Sequence, residues 1–299
     1  MLNCLKGGGT PHGKPKYEYT PFTLSELKDV WRRLQQFTTG TEGWSTAFME
    51  NHDQGRSVTK YGDDSPQWRA LSAKVLATML ATSTGTLFLY QGQEIGMINV
   101  PKSWPLEEYI DIEATNWKSL VKQQRKTDDD ADLKDVHKAL QILARDNART
   151  PMQWDATVNA GFSPRGAKKP WMRVNDSYEE INVAAQEHDP QSVLSFWKAM
   201  IRVRKRHLDV FAHGSFDLHD ASNDATFVYT KTAQDASRLG ALVALNFTSA
   251  EQELGTPAGL DGTLECIACN YGAKGRMETP AVGDRLRAWE ARVYLIKRT

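Results

Sequence analysis

The polar side chains best placed for chemistry lie within residues 48–54 (FMENHDQ), where an apolar run ends. An apolar run that stops at adjacent polar groups is typical of a buried strand whose carboxyl end opens into a pocket, where parallel α/β folds place their reactive residues. Asn51, His52 and Asp53 supply an amide, an imidazole and a carboxylate that can hydrogen-bond a polar ligand. The alternative interpretation is a polar loop that only caps the helix after it.

Composition and charge restrict the class of partner. The chain has 299 residues, 40% of them hydrophobic, which is enough for a large core and two domains. Lys plus Arg and Asp plus Glu number 37 each, so there is no basic field to attract nucleic acid or an anionic membrane. The longest apolar run, residues 75–90, is interrupted by Thr, Ser and Gly and is unsuited to crossing a bilayer. We therefore expect a small neutral or polar ligand, no nucleic acid and no membrane partner.

The three cysteines do not indicate a metal centre. Cys266 and Cys269 form a C-x-x-C pair, but a zinc or redox site would need a second ligand pair or a thioredoxin-like setting, and the sequence offers neither. We interpret them as small residues of a strand and expect no metal and no cofactor. Residues 1–16 have no apolar core of a secretion signal and are expected to be flexible. Together with reduced thiols, this predicts a cytoplasmic location.

Local signals predict alternating helices and strands around residues 48–54. Thr23 and Glu26 form a capping box, which predicts a helix over residues 24–36 and then a strand at 46–50. Ser65-Pro66 predicts the start of a second helix, and a strand follows at 87–90. This order with short connections favours an α/β fold with a parallel sheet.

The second half of the chain is predicted to contain a long polar segment, a helix and a series of strands. Residues 98–189 are polar and are predicted to form a long loop with one helix near Asp128, acting as a wall or lid over the pocket. A further helix is predicted to be capped by Asp189-Pro190. The β-prone runs at 226–231, 242–247, 264–267 and 292–296 predict a small antiparallel sandwich. The predicted domains are a flexible segment at 1–16, an α/β domain at 17–210 and a β-sandwich domain at 211–299.

Four stretches together resemble the α-amylase-type glycoside hydrolases, family 13. Asn51-His52-Asp53 is similar to the family's segment at barrel strand seven, and residues 87–97 (LFLYQGQEIGM) are similar to strand eight. Residues 145–154 (RDNARTPMQW) and 171–183 resemble its α-glucosidase branch. The similarity runs from about Tyr17 to the C-terminus. It implies the C-terminal part of a (β/α)8 TIM barrel, strands seven and eight with their helices, followed by an antiparallel β-sandwich.

The resemblance also implies roles for single residues. Asp53 corresponds to the family carboxylate that holds the 2- and 3-hydroxyls of the terminal glucose and stabilises the oxocarbenium-like transition state. His52 and Arg145 correspond to residues that contact the same sugar, with a structural role as the alternative for Arg145. Glu113 corresponds to a position on the aglycone side, or it belongs to a solvated acidic stretch. A structural role is predicted for Arg149, Trp154 and Trp171, with both tryptophans buried. The alternative for the two tryptophans is stacking against a sugar.

The function implied is that of an α-glucosidase, the retaining hydrolysis of terminal α-linked glucose from maltose- or isomaltose-like oligosaccharides. The family's nucleophile Asp and acid/base Glu lie on strands four and five, and no residues matching those strands occur in these 299 residues. We therefore expect a truncated chain that is inactive alone and exposes barrel edges through which it could associate. Two alternatives stand beside this interpretation: a non-catalytic sugar-binding or interaction fragment, and a sucrose isomerase or transglycosylase of the same family.

Overall fold

A computed structural model describes residue 17 and residues 21–164, 170–235, 239–255, 257, 260, 262–272 and 285–297. The contacts divide the chain into two compact units. Apart from Tyr17 and Pro21, the first unit comprises Glu50–Tyr61 and Tyr90–Gln186, and the second comprises Phe22–Met49, Gly62–Leu89 and the residues from Glu187 onward. The predicted domain boundaries at residues 16 and 210 stay a prediction, and the segment predicted to be flexible at 1–16 lies outside the described residues.

The helices and strands of the described residues are as follows. The helices are α1 (Leu24–Gln36), α2 (Ser57–Tyr61), α3 (Arg69–Ala81), α4 (Ile112–Arg125), α5 (Lys134–Leu143), α6 (Asp146–Arg149), α7 (Val183–Glu187), α8 (Val193–Arg206) and α9 (Leu208–Phe211). The strands are β1 (Thr46–Ala47), β2 (Thr86–Leu87), β3 (Ser215–Leu218), β4 (Thr226–Thr232), β5 (Leu239–Asn246), β6 (Thr263–Cys269) and β7 (Ala291–Lys297).

The first unit is mainly helical, and its described residues include an apolar core. The buried faces of α4 and α5 pack around Trp104, Tyr109 and Leu140, all of them nearly inaccessible to solvent. Residues 98–189 were expected to be a long loop with one helix, and this expectation is wrong, because α4, α5, α6 and α7 all lie within them. The sequence concealed α4 because only Ala114 and Val121 of its side chains are buried, which leaves no apolar stripe to detect.

The second unit confirms the predicted helix at 24–36 and its capping box. The amide of Thr23 donates to Glu26 Oε2 at 2.8 Å, and the amide of Glu26 donates to Thr23 Oγ1 at 3.3 Å. The strands predicted at 46–50 and 87–90 are shorter than expected, but β1 and β2 pair in parallel, with Thr46 opposite Thr86 and Ala47 opposite Leu87. The parallel element of an α/β fold is therefore present.

Two predicted helix starts are displaced along the chain. α3 begins at Arg69 rather than at Pro66, because residues 66–68 form a turn, and the amides of Trp68 and Arg69 both donate to the Ser65 carbonyl. α8 is capped by Ser192, whose side chain accepts from the Ser195 amide, and not by Asp189. In both cases the predicted residue makes a turn just before the helix. The helices themselves are confirmed.

The C-terminal strands form one antiparallel sheet in the order β3-β4-β5-β7-β6. β4, β5 and β7 run through its middle, and the side chains of β4 and β7 are almost all buried. The prediction of antiparallel strands is confirmed. Within the described ranges, however, the strands make a single five-stranded sheet and not the two sheets of a sandwich.

The two described cysteines belong to this sheet, as predicted. Cys266 and Cys269 lie in β6, and burial raises the pKa of the Cys266 thiol to about 11 and that of the Cys269 thiol to about 12. Both are therefore unreactive thiols at neutral pH. In the part of the chain covered by the structure, no helix has the length and apolar character that a membrane crossing requires.

Candidate functional site

Asp53 lies in an exposed turn of the first unit. The Asp53 amide donates to the Asn51 side-chain oxygen at 2.8 Å, so Asn51 shapes the turn that presents the next two residues. The Asp53 side chain is 48% exposed, and its Oδ2 lies 3.4 Å from His52 Nε2. A carboxylate with this exposure can accept hydrogen bonds from an incoming ligand.

Two arginines reach the other oxygen of this carboxylate. Arg145 Nη1 and Arg149 Nη2 each lie 3.1 Å from Asp53 Oδ1. Arg149 Nε also donates to the His52 carbonyl at 2.8 Å, which ties the turn at a second point. Arg145 Nη1 is 3.3 Å from Glu113 Oε1. The structure therefore brings Asp53, His52, Glu113 and Arg145 close together.

A third carboxylate, the buried Asp111, binds both arginines. It accepts from Arg145 Nη2 at 2.8 Å and from Arg149 Nη1 at 2.6 Å, and its side chain is only 4% exposed. Burial alone would raise the pKa of Asp111, but hydrogen bonds and charge from the arginines outweigh it and lower the pKa below its usual 3.8. Asp111 therefore stays ionised and keeps both guanidinium groups in place.

The local fold of residues 145–149 explains this arrangement. Arg145 and Arg149 are four residues apart, so one turn of helix brings both to the same face. Within the same segment, Asp146 Oδ1 accepts the amides of Ile110 and Asp111 at 2.8 and 2.9 Å. Burial raises the pKa of Asp146, and the two amides partly offset that rise. This short segment thus positions Asp111 as well as the residues that Asp111 binds.

A buried ion pair anchors the Asp53 turn to the rest of the first unit. Arg56 and Glu50 are almost fully buried, with Arg56 Nη1 3.1 Å from Glu50 Oε2. Arg56 Nη1 also donates to the Gln91 carbonyl at 2.7 Å, and Glu50 Oε1 accepts from the amide and hydroxyl of Ser57. A buried pair with additional hydrogen bonds is costly to disturb, so the residues on either side of Asp53 are fixed.

The charged side chains of the site add up to one net negative charge. Asp53, Glu113 and Asp111 carry three negative charges, and Arg145 and Arg149 carry two positive ones. Carboxylates of this kind hydrogen-bond hydroxyl groups and stabilise positive charge that develops beside them. Among the described residues, no cluster of three or more His, Cys, Asp or Glu side chains is suited to a metal ion.

Part of this site was not predicted from the sequence. Asp111 was not singled out, although an acidic residue just before a helix could have suggested an N-cap, a role that it does fill toward the Glu113 amide at 3.0 Å. Arg149 is predicted to be structural, and it contacts the same Asp53 oxygen as Arg145. The expectation that Trp154 and Trp171 are buried is wrong, because they are 49% and 60% exposed. Trp171 Nε1 donates to the Arg149 carbonyl at 2.9 Å, which fixes its ring beside the site.

The fold and the site define the class of protein. Residues 4–214 match the family model described as "Alpha amylase, catalytic domain", and the chain belongs to this family. The resemblance found in the sequence is therefore confirmed.

Particular relatives lie within the same family. The chain is similar to an α-glucosidase of Candida albicans, with 39% identity over 99% of this chain and 50% of that protein. It is similar to an oligo-1,6-glucosidase of Saccharomyces cerevisiae, with 38% identity over 94% of this chain and 47% of that one. Among solved structures it resembles an isomaltulose synthase mutant of Erwinia rhapontici in complex with sucrose, with a TM-score of 0.82, 31% identity, and 94% of this chain and 48% of that chain covered. The chain thus spans about half the length of the relatives it matches.

Proposed function

We propose that these residues form the glucose-holding part of an α-glucosidase site, which acts on terminal α-linked glucose in small oligosaccharides. One observation carries the proposal: an exposed Asp53 carboxylate is held by Arg145 and Arg149, which the buried Asp111 fixes in turn. The identity to α-glucosidases and oligo-1,6-glucosidases supports it. For the architecture, we propose the C-terminal part of a (β/α)8 barrel, with β1 and β2 as barrel strands seven and eight.

Each residue has a defined role in this proposal. Asp53 accepts hydrogen bonds from two adjacent ring hydroxyls, and these bonds strengthen as positive charge develops at the anomeric carbon. His52 donates to the same sugar, and Arg145 limits the freedom of Asp53. Glu113 faces the leaving-group side. Because the Asp53 carboxylate is about half exposed, it can exchange water for sugar hydroxyls without rearrangement of the chain.

Cleavage itself needs further groups. A retaining glycosidase requires a carboxylate nucleophile and a carboxylic acid on opposite sides of the bond. The matched stretches of these 299 residues supply neither, so we expect the 299-residue chain alone to bind sugar weakly and not to cleave it. A cytoplasmic location and association with a second polypeptide through sheet edges remain predictions.

A second candidate function is transfer within the same class. The solved structures that the chain resembles include a trehalulose synthase at 32% identity, with a TM-score of 0.81, besides the isomaltulose synthase. The difference from hydrolysis lies in whether water or a second sugar accepts the glucosyl group. Asp53 and Arg145 would hold the glucosyl unit in the same way for either outcome.

Isothermal titration of the 299-residue chain with deoxynojirimycin, a cationic analogue of glucose, tests the proposal. We expect Asp53→Asn to weaken binding at least about tenfold, since one charge-assisted hydrogen bond contributes about 1.5–3 kcal/mol. Asp128→Asn is a matched control, because Asp128 is also an exposed carboxylate of the first unit but lies in the connection between α4 and α5. Equal affinity for wild type and Asp53→Asn would contradict the role of Asp53. Turnover of p-nitrophenyl α-glucoside by the chain alone would contradict the missing nucleophile.

A further inference from the structure

The second unit contains a cavity that is unrelated to the Asp53 site. It has a volume of about 500 Å³ and lies between α3, α8 and the residues that follow β6. Its lining includes three basic side chains, Lys74, Lys198 and Arg202, and no Asp or Glu. We refer to it as the basic cavity. A volume of this size falls in the range of small-molecule sites.

Lys74 is the buried member of the three. The residue is only 7% exposed, and its Nζ donates to the Gln191 carbonyl at 2.6 Å and lies 5.9 Å from the centre of the Phe196 ring. Burial lowers the pKa of Lys74, and the negative charge of Asp189 counteracts this only in part. No carboxylate of the described residues lies within ion-pair distance of its ammonium group. A buried ammonium with a single neutral acceptor is left with donors that an anion could satisfy.

Lys198 and Arg202 extend the positive surface along α8. They are four residues apart, so they share one face of the helix, and both line the cavity with their exposed side chains. Throughout the described ranges, neither forms an ion pair. Three cations without a carboxylate partner therefore border one cavity, although the chain as a whole has equal numbers of acidic and basic residues.

The other polar groups of the lining are already bonded to the protein. Gln191 Nε2 donates to the Gly272 carbonyl at 3.0 Å, and Ser195 Oγ donates to the Asp189 carbonyl at 2.7 Å. Asn270 Nδ2 donates to the Trp289 carbonyl at 2.7 Å. These bonds fix the walls and leave the three cations as the groups able to recognise a ligand.

We infer that the basic cavity binds a phosphate group, either as free phosphate or as a phosphorylated small molecule. At pH 7 a phosphomonoester carries about −1.5 to −2 charge and three acceptor oxygens, which suits two lysines and one arginine. The cavity is larger than a phosphate ion needs, so it has room for an attached group of the size of a monosaccharide. This inference does not depend on the function proposed for the Asp53 site.

Thermal unfolding and isothermal titration of the 299-residue chain with different ligands test this inference. Potassium phosphate is expected to raise the Tm in a saturable manner that potassium chloride of equal ionic strength does not reproduce. Glucose 6-phosphate and glucose are titrated in parallel. Affinity for glucose 6-phosphate at least about tenfold above that for inorganic phosphate assigns the site to a phosphorylated sugar, and equal affinity assigns it to free phosphate.

Substitutions on the exposed side of the cavity keep the test independent of folding. The double variant Lys198→Gln, Arg202→Gln is expected to lower phosphate affinity at least about tenfold, whereas Lys205→Gln, an exposed lysine of α8 outside the lining, is expected to bind like wild type. Lys74→Met tests the buried cation, with far-UV circular dichroism as the check on folding. If chloride and phosphate have the same effect, or the double variant binds phosphate like wild type, the inference is wrong. Unchanged phosphate binding by Asp53→Asn distinguishes this result from the test of the sugar site.

Discussion

Arg145 donates three hydrogen bonds to Asp111, from Nε at 3.0 Å and from Nη2 at 2.8 and 3.1 Å. Toward Asp53 it directs a single bond of 3.1 Å from Nη1. The buried Asp111 therefore determines where the Arg145 guanidinium lies. The exposed Asp53 accepts only the single bond from Nη1. This division suits a site in which Asp53 must accept ligand hydroxyls without losing its position.

The first prediction concerns Asp111. Replacing Asp111 with Asn keeps the size of the side chain but leaves Arg145 and Arg149 without their buried counter-charge. We expect a loss of about 2 kcal/mol in the free energy of unfolding, because the buried side chain loses its charge-assisted hydrogen bonds to both arginines. Urea unfolding at pH 7 measures this loss, and titration with deoxynojirimycin should show weaker binding in parallel.

Asp135→Asn is the matched control for this change. Asp135 also makes a two-bond pair with an arginine, Arg125, but its side chain is 67% exposed. An exposed pair contributes about 0–1 kcal/mol, so this variant should be close to wild type. Equal losses for Asp111→Asn and Asp135→Asn would show that burial of Asp111 has no energetic consequence.

The second prediction concerns the turn at Gly92. Its φ is +87°, and a Cβ there would lie 2.3 Å from Met97 Sδ and 3.1 Å from Arg56 Nη1. The thioether could move, but Arg56 is held by Glu50 and by the Gln91 carbonyl. We expect Gly92→Ala to lower the free energy of unfolding by about 2 kcal/mol.

The urea midpoint of Gly92→Ala, compared with that of Gly255→Ala, tests this. A Cβ at Gly255 meets no atom within 4 Å, and its φ is not in the left-handed region. Gly255→Ala should therefore stay within about 0.5 kcal/mol of wild type. If Gly92→Ala changes the free energy of unfolding as little as Gly255→Ala does, the prediction is wrong. The backbone at this turn would then relax to accommodate the Cβ despite the hydrogen bonds that hold Arg56.

Elements that are fixed by neighbouring residues were predicted well from the sequence, and features that depend on distant residues were not. α1 was predicted with its correct ends because Thr23, Glu26 and the apolar positions are all local signals. The C-terminal strands were found from their composition, except β3, whose four residues are too few for a pattern. α4 was missed because its exposed surface is polar on nearly every side.

Residues of the candidate site were predicted by resemblance rather than by local pattern. Asp53 and Arg145 stand in stretches that the family shares, so they were identified. Asp111 lies 34 residues before Arg145, and no periodicity connects the two positions. The exposure of Trp171 could not be predicted either, because a tryptophan in a polar segment is compatible with both a buried and an exposed ring.

The third prediction concerns Glu290 and acid stability. Burial would raise the pKa of Glu290, but hydrogen bonds from Arg292 and Arg287 outweigh it and lower the pKa from 4.5 to about 2. Between these values the unfolded chain binds more protons than the folded one, so the stabilisation is present above pH 4.5 and is lost as the pH falls toward 2. Urea unfolding at pH 2.5–5 should show this slope. In Glu290→Gln the slope should decrease, and an unchanged slope would assign it to other carboxylates.

The last prediction concerns Lys231 and alkaline stability. Its ammonium group donates to Thr84 Oγ1 and to the Gly214 carbonyl, and burial, aided by the charge of Arg204, lowers its pKa from 10.5 to about 7. Above pH 7 the unfolded chain binds a proton that the folded chain does not, so the free energy of unfolding rises with pH, by about 1.4 kcal/mol for each unit of pKa difference that is traversed. The range pH 7.5–9 suits the measurement, because burial holds the pKa of Tyr229 far above it. Other buried lysines contribute in the same direction, so the comparison with Lys231→Met is decisive: its unfolding free energy should rise less steeply over this range, and parallel curves would show that Lys231 remains protonated in the folded chain.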